Sequence, residues 1–121
     1  MKQILLTLFI LVLSCPAALA QDSKYYMDKA NSYMREAEYY TKKAEGYDRD
    51  AQYYNNKAQG YLRDAERYSR SNKPDKVSTY TRWAKEASDK AALRMRWAKD
   101  AREKAELRMK WAREAMQKAN R

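Results

Sequence analysis

Alanine and tyrosine recur at seven-residue intervals through the first half of the chain. The alanines are Ala30, Ala37, Ala44, Ala51, Ala58 and Ala65, and the tyrosines are Tyr26, Tyr33, Tyr40, Tyr47, Tyr54, Tyr61 and Tyr68. This spacing places alanine at position a and tyrosine at position d of a heptad coiled coil. The g positions alternate in sign from Lys29 to Asp64, which suits ion pairs with a neighbouring helix. The pattern predicts a helix over about residues 23–70.

A second array follows, in which "WAKEASDKAALRMR", "WAKDAREKAELRMK" and "WAREAMQKANR" succeed one another over residues 83–121. Its a positions are Ala84, Ala91, Ala98, Ala105, Ala112 and Ala119, and its d positions are Ala87, Arg94, Ala101, Arg108 and Ala115. The step from Ala65 to Ala84 is 19 residues, which is not a multiple of seven. The array therefore predicts a second helix, over about residues 74–120.

The segment "SRSNKPDK" separates the two arrays. Pro74 disrupts a helix interior but suits the first turn of a new helix, and Ser71 or Asn72 would cap that turn. We expect a tight reversal at about residues 71–74 and an antiparallel helical hairpin over residues 21–121.

Facing residues of such a hairpin have numbers that add up to about 145 if the reversal centres on 72–73. Tyrosine then faces alanine in alternate layers, and the alanines allow the helices to approach closely. Apolar side chains outside this seam, such as Tyr25, Tyr39 and Met95, predict self-association into a bundle. The expected fold class is thus all-α, a long alanine/tyrosine coiled-coil hairpin that forms homo-oligomers.

Three pairs whose numbers add up to 143, within two of that count, join small residues of the first helix to the tryptophans of the second array. The three pairs are Ser32 with Trp111, Gly46 with Trp97, and Gly60 with Trp83. One hypothesis is that each tryptophan lies across the small residue in a notch, with Lys29, Lys43 and Lys57 close enough for cation–π contact. The alternative is that the small residues only relieve crowding within the first helix.

The first twenty residues have the form of a secretory signal peptide. Lys2 precedes an apolar run of about ten residues, too short for the ~20 of a membrane span, and Ala18 and Ala20 frame a cleavage site. Cys15 lies in "VLSC", which resembles the lipobox of bacterial lipoproteins, so lipidation at Cys15 is the alternative to simple cleavage. The protein is expected to be exported to the periplasm or outside the cell, or to the outer membrane if lipidated.

Charge is distributed unequally over the expected mature chain. Residues 21–71 hold 10 basic and 9 acidic side chains, a net of +1, whereas residues 72–121 hold 15 and 7, a net of +8. An anionic partner for the second helix follows from this excess. The alternative is that the charged face only keeps a coiled coil soluble.

The chain has no histidine, and its one cysteine lies in the expected signal peptide. Its two glycines, Gly46 and Gly60, form no phosphate-binding loop. Thiol or histidine chemistry, metal-ligand clusters of those residues and glycine-rich cofactor loops therefore have no candidates. We expect a protein that is not an enzyme, with no catalytic, cofactor-binding or metal-binding residues.

Basic residues of the second array are the candidate contacts for an anionic partner. They are Arg94, Arg96, Arg102, Arg108, Lys110 and Arg113, interleaved with Trp83, Trp97 and Trp111 for aromatic packing or stacking. This combination suits anionic polysaccharide, lipopolysaccharide or lipid headgroups, and the expected export disfavours nucleic acid. The alternative for Arg94 and Arg108 is that they reach the edge of the seam or set its register.

The stretch "KAALRMRWAKDA" (90–101), with its alanine heptads, is similar to the alanine-zipper envelope lipoproteins of Gram-negative bacteria. The resemblance covers chiefly residues 84–121 and implies small exported helices that trimerise and tie or stiffen the outer membrane. This chain differs in its lipobox, its proline reversal, its tyrosine ladder and its terminal Arg121, which replaces the lysine used for attachment to peptidoglycan.

The leading functional expectation is an exported structural protein whose basic second helix holds an anionic envelope or matrix component. One alternative is a periplasmic holdase chaperone, in which basic helical arms cradle unfolded proteins. Others are a lipoprotein of the alanine-zipper type and a membrane-active cationic helix, the last disfavoured because the apolar residues follow the seam so regularly.

Overall fold

The computed structural model describes residues 21–121, and the expected signal peptide and Cys15 lie outside this range. Helix α1 runs over Gln21–Arg70 and helix α2 over Pro74–Ala119, with 50 and 46 residues. The two helices pack against each other, and 95 % of the described residues are helical, with no strand among them. The all-α class is confirmed, and the observed helix bounds lie within two residues of the expected ones.

Helix α1 ends in a Schellman motif centred on Asn72. The Lys73 amide donates to the Tyr68 carbonyl (3.0 Å), and the Asn72 amide donates to the Ser69 carbonyl (3.2 Å). Asn72 has a φ of 60°, the left-handed conformation that this motif requires and that asparagine tolerates better than most residues. The chain therefore leaves α1 with its last carbonyls satisfied and turns back within three residues.

Helix α2 begins at Pro74, as expected for a proline in the first helical turn. The predicted capping role of Ser71 or Asn72 is wrong, because the residue before Pro74 is Lys73. Its carbonyl accepts the Val77 amide (3.2 Å), whereas its side chain has no acceptor with which to cap the helix. The Ser71 hydroxyl instead donates to a carbonyl of α1 (3.2 Å).

The helices contribute to two compact units. We call residues 43–100 the turn unit, and residues 21–42 with 101–121 the terminal unit. In each, a segment of α1 packs antiparallel to a segment of α2.

Alanine forms the core of both units. The buried alanines of the turn unit are Ala44, Ala51, Ala58, Ala65, Ala84, Ala87, Ala91 and Ala98. Those of the terminal unit are Ala30, Ala37, Ala101, Ala105, Ala112, Ala115 and Ala119. Every alanine assigned to an a or d position is buried, because a methyl side chain lets the two backbones come close enough to exclude water.

Methionines extend the core of the terminal unit. Met34, Met109 and Met116 are all buried, and Ala30, Ala115 and Met116 form one cluster against which Met27 packs. Long, flexible side chains fill the gaps that an alanine core leaves at its edge.

The Ser23 hydroxyl in the terminal unit donates a buried hydrogen bond of 2.9 Å to the Ala119 carbonyl. This bond satisfies one of the orphan carbonyls at the end of α2.

The turn unit has no comparable buried methionine. Leu62 is 52 % exposed and Met95 57 % exposed. These side chains leave apolar surface open to solvent.

Candidate functional site

Three ring pairs join the tyrosine ladder of α1 to the tryptophans of α2. In the terminal unit Tyr33 packs on Trp111, with ring centroids 5.5 Å apart. In the turn unit Tyr47 packs on Trp97 at 5.5 Å and Tyr61 on Trp83 at 5.7 Å. The residue numbers of each pair add up to 144, one below the count of 145 expected for facing residues. At this register each tryptophan contacts a tyrosine of α1.

The notch hypothesis is wrong at both glycines. A Cβ placed on Gly46 would meet only a guanidinium nitrogen of Arg49, at 3.8 Å, and no atom of Trp97 lies within 4 Å of it. Gly60 has the same surroundings, with Arg63 at 3.8 Å. The tryptophans turn toward the tyrosine rings instead, where aromatic packing adds to the burial of apolar surface.

The predicted cation–π contacts of Lys29 and Lys57 with tryptophan are also wrong. The ammonium groups lie over Tyr25 and Tyr53, at 5.3 and 5.4 Å from the ring centroids. A hydrogen bond with the hydroxyl of the same tyrosine raises the pKa of each lysine above its ordinary value. These lysines therefore remain charged at neutral pH.

Arg108 is held between two rings in the terminal unit. Its guanidinium carbon lies 4.6 Å from the Trp111 ring centroid and 5.4 Å from that of Tyr40. Its Nε lies 3.3 Å from Glu36 Oε2, and the arginine side chain is 21 % exposed. Arginine suits this place because its planar guanidinium can stack on rings and bind a carboxylate at once.

Arg94 repeats the arrangement in the turn unit. The guanidinium carbon is 4.5 Å from the Trp97 ring centroid and 5.5 Å from that of Tyr54. Its Nε lies 3.9 Å from Asp50 Oδ2. This contact lies near the 4.0 Å limit for an ion pair, and Asp50 is more than half exposed, so water screens the pair.

Tyr80 takes the corresponding place before the first tryptophan of α2. Its ring stacks on Tyr68 at 5.3 Å and meets Trp83 edge-on at 5.0 Å. A hydrogen bond with Arg67 and the charge of Lys76 lower the pKa of Tyr68, while the neighbouring Tyr68 raises the pKa of Tyr80. The two hydroxyls next to the turn therefore ionise at different pH values.

Lysines of α2 cover the remaining tyrosines of the ladder. The pairs are Lys118 over Tyr26, Lys104 over Tyr40, Lys90 over Tyr54 and Lys76 over Tyr68, at 5.0 to 5.7 Å. The regularly spaced tyrosines of α1 therefore contact lysine and tryptophan alternately along the helix. The g positions of the second array alternate tryptophan and lysine, so the sequence contains the signal for these contacts.

The six basic residues expected to bind an anionic partner fall into two groups. Arg94 and Arg108 are engaged by rings and carboxylates of their own units. The other four, Arg96, Arg102, Lys110 and Arg113, are exposed. Within residues 21–121, no carboxylate lies within ion-pair distance of Arg96, Lys110 or Arg113. Binding by any of the six stays a prediction.

Acidic side chains of the described residues form no group of three or more that could hold a metal ion. Neither α1 nor α2 contains a stretch apolar enough to cross a membrane. Comparison of the chain with family models, with curated proteins and with solved structures gave no match. The similarity to alanine-zipper lipoproteins therefore depends on the repeats quoted above alone.

Proposed function

We propose that this is an exported, non-enzymatic structural or interaction protein. Its alanine and tyrosine heptads form a coiled-coil hairpin that self-associates, and its basic second helix binds an anionic component of the cell envelope or extracellular matrix. The observation that carries the proposal is the exposure of Arg96, Lys110 and Arg113 without ion-pair partners among the described residues.

An exposed basic residue without a partner keeps its full capacity to bind an anion. Arginine can bind a carboxylate, sulfate or phosphate with two parallel hydrogen bonds, and lysine binds the same groups as a point charge. The excess of basic residues in 72–121 would also speed the approach of a polyanion. Anionic polysaccharide, lipopolysaccharide and lipid headgroups all supply such groups, and the expected signal peptide favours these over nucleic acid.

Exposed apolar side chains support self-association. They are Tyr25, Tyr39, Leu107, Tyr53, Leu62 and Met95, each between 41 % and 58 % exposed. An alanine core buries little area per layer, at ~25 cal/mol for each Å², so further burial against a second copy would stabilise the fold. Sedimentation equilibrium of the purified protein tests this part, and a monomer at all concentrations contradicts it.

Charge reversal tests the binding surface. The variant Arg96→Glu/Lys110→Glu/Arg113→Glu should lose binding to heparin and to vesicles containing phosphatidylglycerol. The matched control is Arg35→Glu/Arg49→Glu/Arg63→Glu, which makes the same change of charge at exposed arginines of α1. Both variants should keep the helical circular dichroism, and the control should keep most of the binding. Equal losses from both variants would show an effect of net charge alone and refute a binding surface on α2.

A holdase chaperone is the second candidate, favoured by exposed aromatic residues beside basic ones. Trp83 and Trp97 are 39 % and 38 % exposed, and Tyr53 lies under Lys57. Suppression of the aggregation of an unfolded outer-membrane protein at stoichiometric amounts would favour this candidate. Intact-mass analysis of the exported protein distinguishes cleavage after Ala20 from lipidation at Cys15.

A further inference from the structure

Each unit contains a pocket, and the two pockets have the same lining. The pocket of the turn unit has a volume of about 260 Å³ and is lined by Tyr54, Lys57, Tyr61, Trp83, Glu86 and Lys90. The pocket of the terminal unit has about 190 Å³ and is lined by Tyr26, Lys29, Tyr33, Trp111, Glu114 and Lys118. A buried alanine, Ala87 or Ala115, completes each.

The residues that line the two pockets are of the same types, whereas most residues between them in the sequence differ. On α1, residues 26–33 read "YMDKANSY" and residues 54–61 read "YNNKAQGY", so only the two tyrosines, the lysine and the core alanine are shared. On α2, residues 83–90 read "WAKEASDK" and residues 111–118 read "WAREAMQK". The shared tryptophan, glutamate, lysine and second alanine all line the pockets.

Packing accounts for the shared tyrosines and alanines, and the shared lysines lie over tyrosine rings, but neither accounts for the shared glutamates. Lys57, Glu86 and Lys90 are exposed, as are their counterparts in the terminal unit. Neither Glu86 nor Glu114 has a basic partner within ion-pair distance among residues 21–121. An exposed helix position accepts many polar residues, so the repetition of a glutamate beside the same lysines and rings in both pockets points to a ligand.

The walls of each pocket form an aromatic corner with hydrogen-bonding groups around it. The Tyr61 and Trp83 rings meet at 61°, and the Tyr33 and Trp111 rings at 60°. A ring face carries partial negative charge and attracts C–H groups. Lys90 and Lys118 are held over Tyr54 and Tyr26, so their ammonium groups stay at the pocket edge. Each glutamate supplies an acceptor for hydroxyl groups.

We propose that each pocket binds one sugar ring that carries a negatively charged group, such as a uronic acid. The C–H faces of the ring would pack into the aromatic corner, its hydroxyls would donate to the glutamate, and its carboxylate would face the two lysines. Both volumes lie below the roughly 300–1,000 Å³ of sites for drug-sized ligands, which suits one monosaccharide unit. This inference goes beyond the proposed function, because the pockets use none of the exposed residues Arg96, Lys110 and Arg113.

A nucleotide also carries a planar ring and an anion, but the geometry favours the sugar. A nucleobase binds best between parallel ring faces or flat on an open one. The rings here meet at about 60°, so they offer no pair of parallel faces to a nucleobase.

The test titrates the ¹⁵N-labelled protein with glucuronic acid and follows the indole N–H signals of Trp83 and Trp111 by NMR. Glucose and acetate, at the same concentrations, separate the contributions of ring and charge. Both signals should shift saturably with glucuronate, with at least about tenfold weaker responses to glucose and to acetate, because each lacks part of the ligand.

The variant Lys57→Gln/Lys90→Gln should abolish the response of Trp83 and leave that of Trp111, which serves as a control within the same molecule. The matched control Lys85→Gln/Lys99→Gln removes the same charge from exposed lysines of the turn unit outside the pocket. It should leave both responses intact, as should the triple charge reversal of α2.

Three results would overturn the proposal. They are an acetate response as strong as that to glucuronate, an equal loss in the Lys85/Lys99 control, and tighter binding of a nucleoside monophosphate. Loss of heparin binding in the triple variant, with both pocket responses retained, supports the two sites as independent. Retention of heparin binding in that variant would contradict the proposed function but not the binding of sugar in the pockets.

Discussion

Arg108 stacks on Trp111, three residues later on the same helix, with its guanidinium carbon 4.6 Å from the ring centroid. The opposite helix supplies Tyr40 and Glu36, so a charged residue at a seam position has partners on several sides. The arginine therefore belongs to the packing of the terminal unit. Its contribution to stability can be separated into ring and carboxylate parts.

Replacing Arg108 with alanine should lower the free energy of unfolding by about 1–2 kcal/mol, since the ring contacts and the buried stem are lost together. Glu36→Gln should cost less than about 1 kcal/mol, because the carboxylate side chain is 49 % exposed and water screens the pair. Urea unfolding of both single variants and the double variant gives the coupling energy. A coupling as large as the whole effect of Arg108→Ala would show that the rings contribute nothing.

Gly46→Ala should raise the free energy of unfolding by about 0.5–1 kcal/mol, the propensity difference between the two residues in a helix. The new methyl group would meet only the end of the Arg49 side chain, at an ordinary contact distance of 3.8 Å. The gain should persist in a Trp97→Ala background, because Trp97 does not cover the glycine. A lower melting temperature for Gly46→Ala alone would bring the notch hypothesis back.

Tyr68 should ionise before Tyr80 as the pH is raised. The hydrogen bond with Arg67 and the charge of Lys76 lower its pKa in the folded state, so the tyrosinate favours folding. This stabilisation is present above the pKa of an unfolded tyrosine and is lost as the pH falls through the lower, folded value. The absorbance of tyrosinate, followed during an alkaline titration, measures the ionisation of Tyr68. Tyr68→Phe should remove the absorbance change due to Tyr68, and an unchanged titration curve would contradict the assignment.

The pKa of Tyr80 shifts in the opposite direction to that of Tyr68. The neighbouring Tyr68 raises its pKa, so the ionised form of Tyr80 opposes folding. In Tyr68→Phe, Tyr80 should ionise at a lower pH than in the parent protein. Tyr80→Phe should make the fold more resistant to alkaline unfolding, because stability is otherwise lost as the pH rises through the folded pKa of Tyr80.

Mild peroxide should oxidise Met95 well before the three buried methionines of the terminal unit. Met95 is 57 % exposed, whereas Met34, Met109 and Met116 are at most 7 % exposed. A sulfoxide is polar, so its formation at a buried site requires the unit to open first. Peptide mass mapping over a time course gives the order. Oxidation of Met116 as fast as Met95 would show that the terminal unit opens readily.

The heptads were enough to predict the two helices, the buried alanines and the place of the turn, because each depends on short-range periodicity. The partners of the long side chains could not be read in the same way. An alanine core has few bulky side chains to fix register, and a shift of one residue changes which ring a tryptophan meets. A register that is one residue off pairs Trp97 with Gly46, whereas the tryptophan packs on Tyr47.

The candidate site could likewise be predicted from the sequence only in part. Exposure of Arg96, Lys110 and Arg113 follows from their positions away from the seam. The engagement of Arg94 and Arg108 depends on Asp50 and Glu36 lying at the matching level of the opposite helix, which the heptad pattern of one helix does not specify. The two pockets require both helices at once, although the repeated residues that line them are visible in the sequence.

The hydrogen bond from Ser23 to Ala119 joins residues that are 96 positions apart. The ring contact between Tyr68 and Tyr80, next to the turn, joins residues only twelve positions apart. Each doubling of a loop costs about 0.6 kcal/mol of closure entropy, so closing the longer loop first would cost nearly 2 kcal/mol more. Folding should therefore nucleate beside Asn72 and finish at Ser23. Deuterium exchange pulsed during refolding should protect amides near Tyr68 earliest and those near Ala119 last.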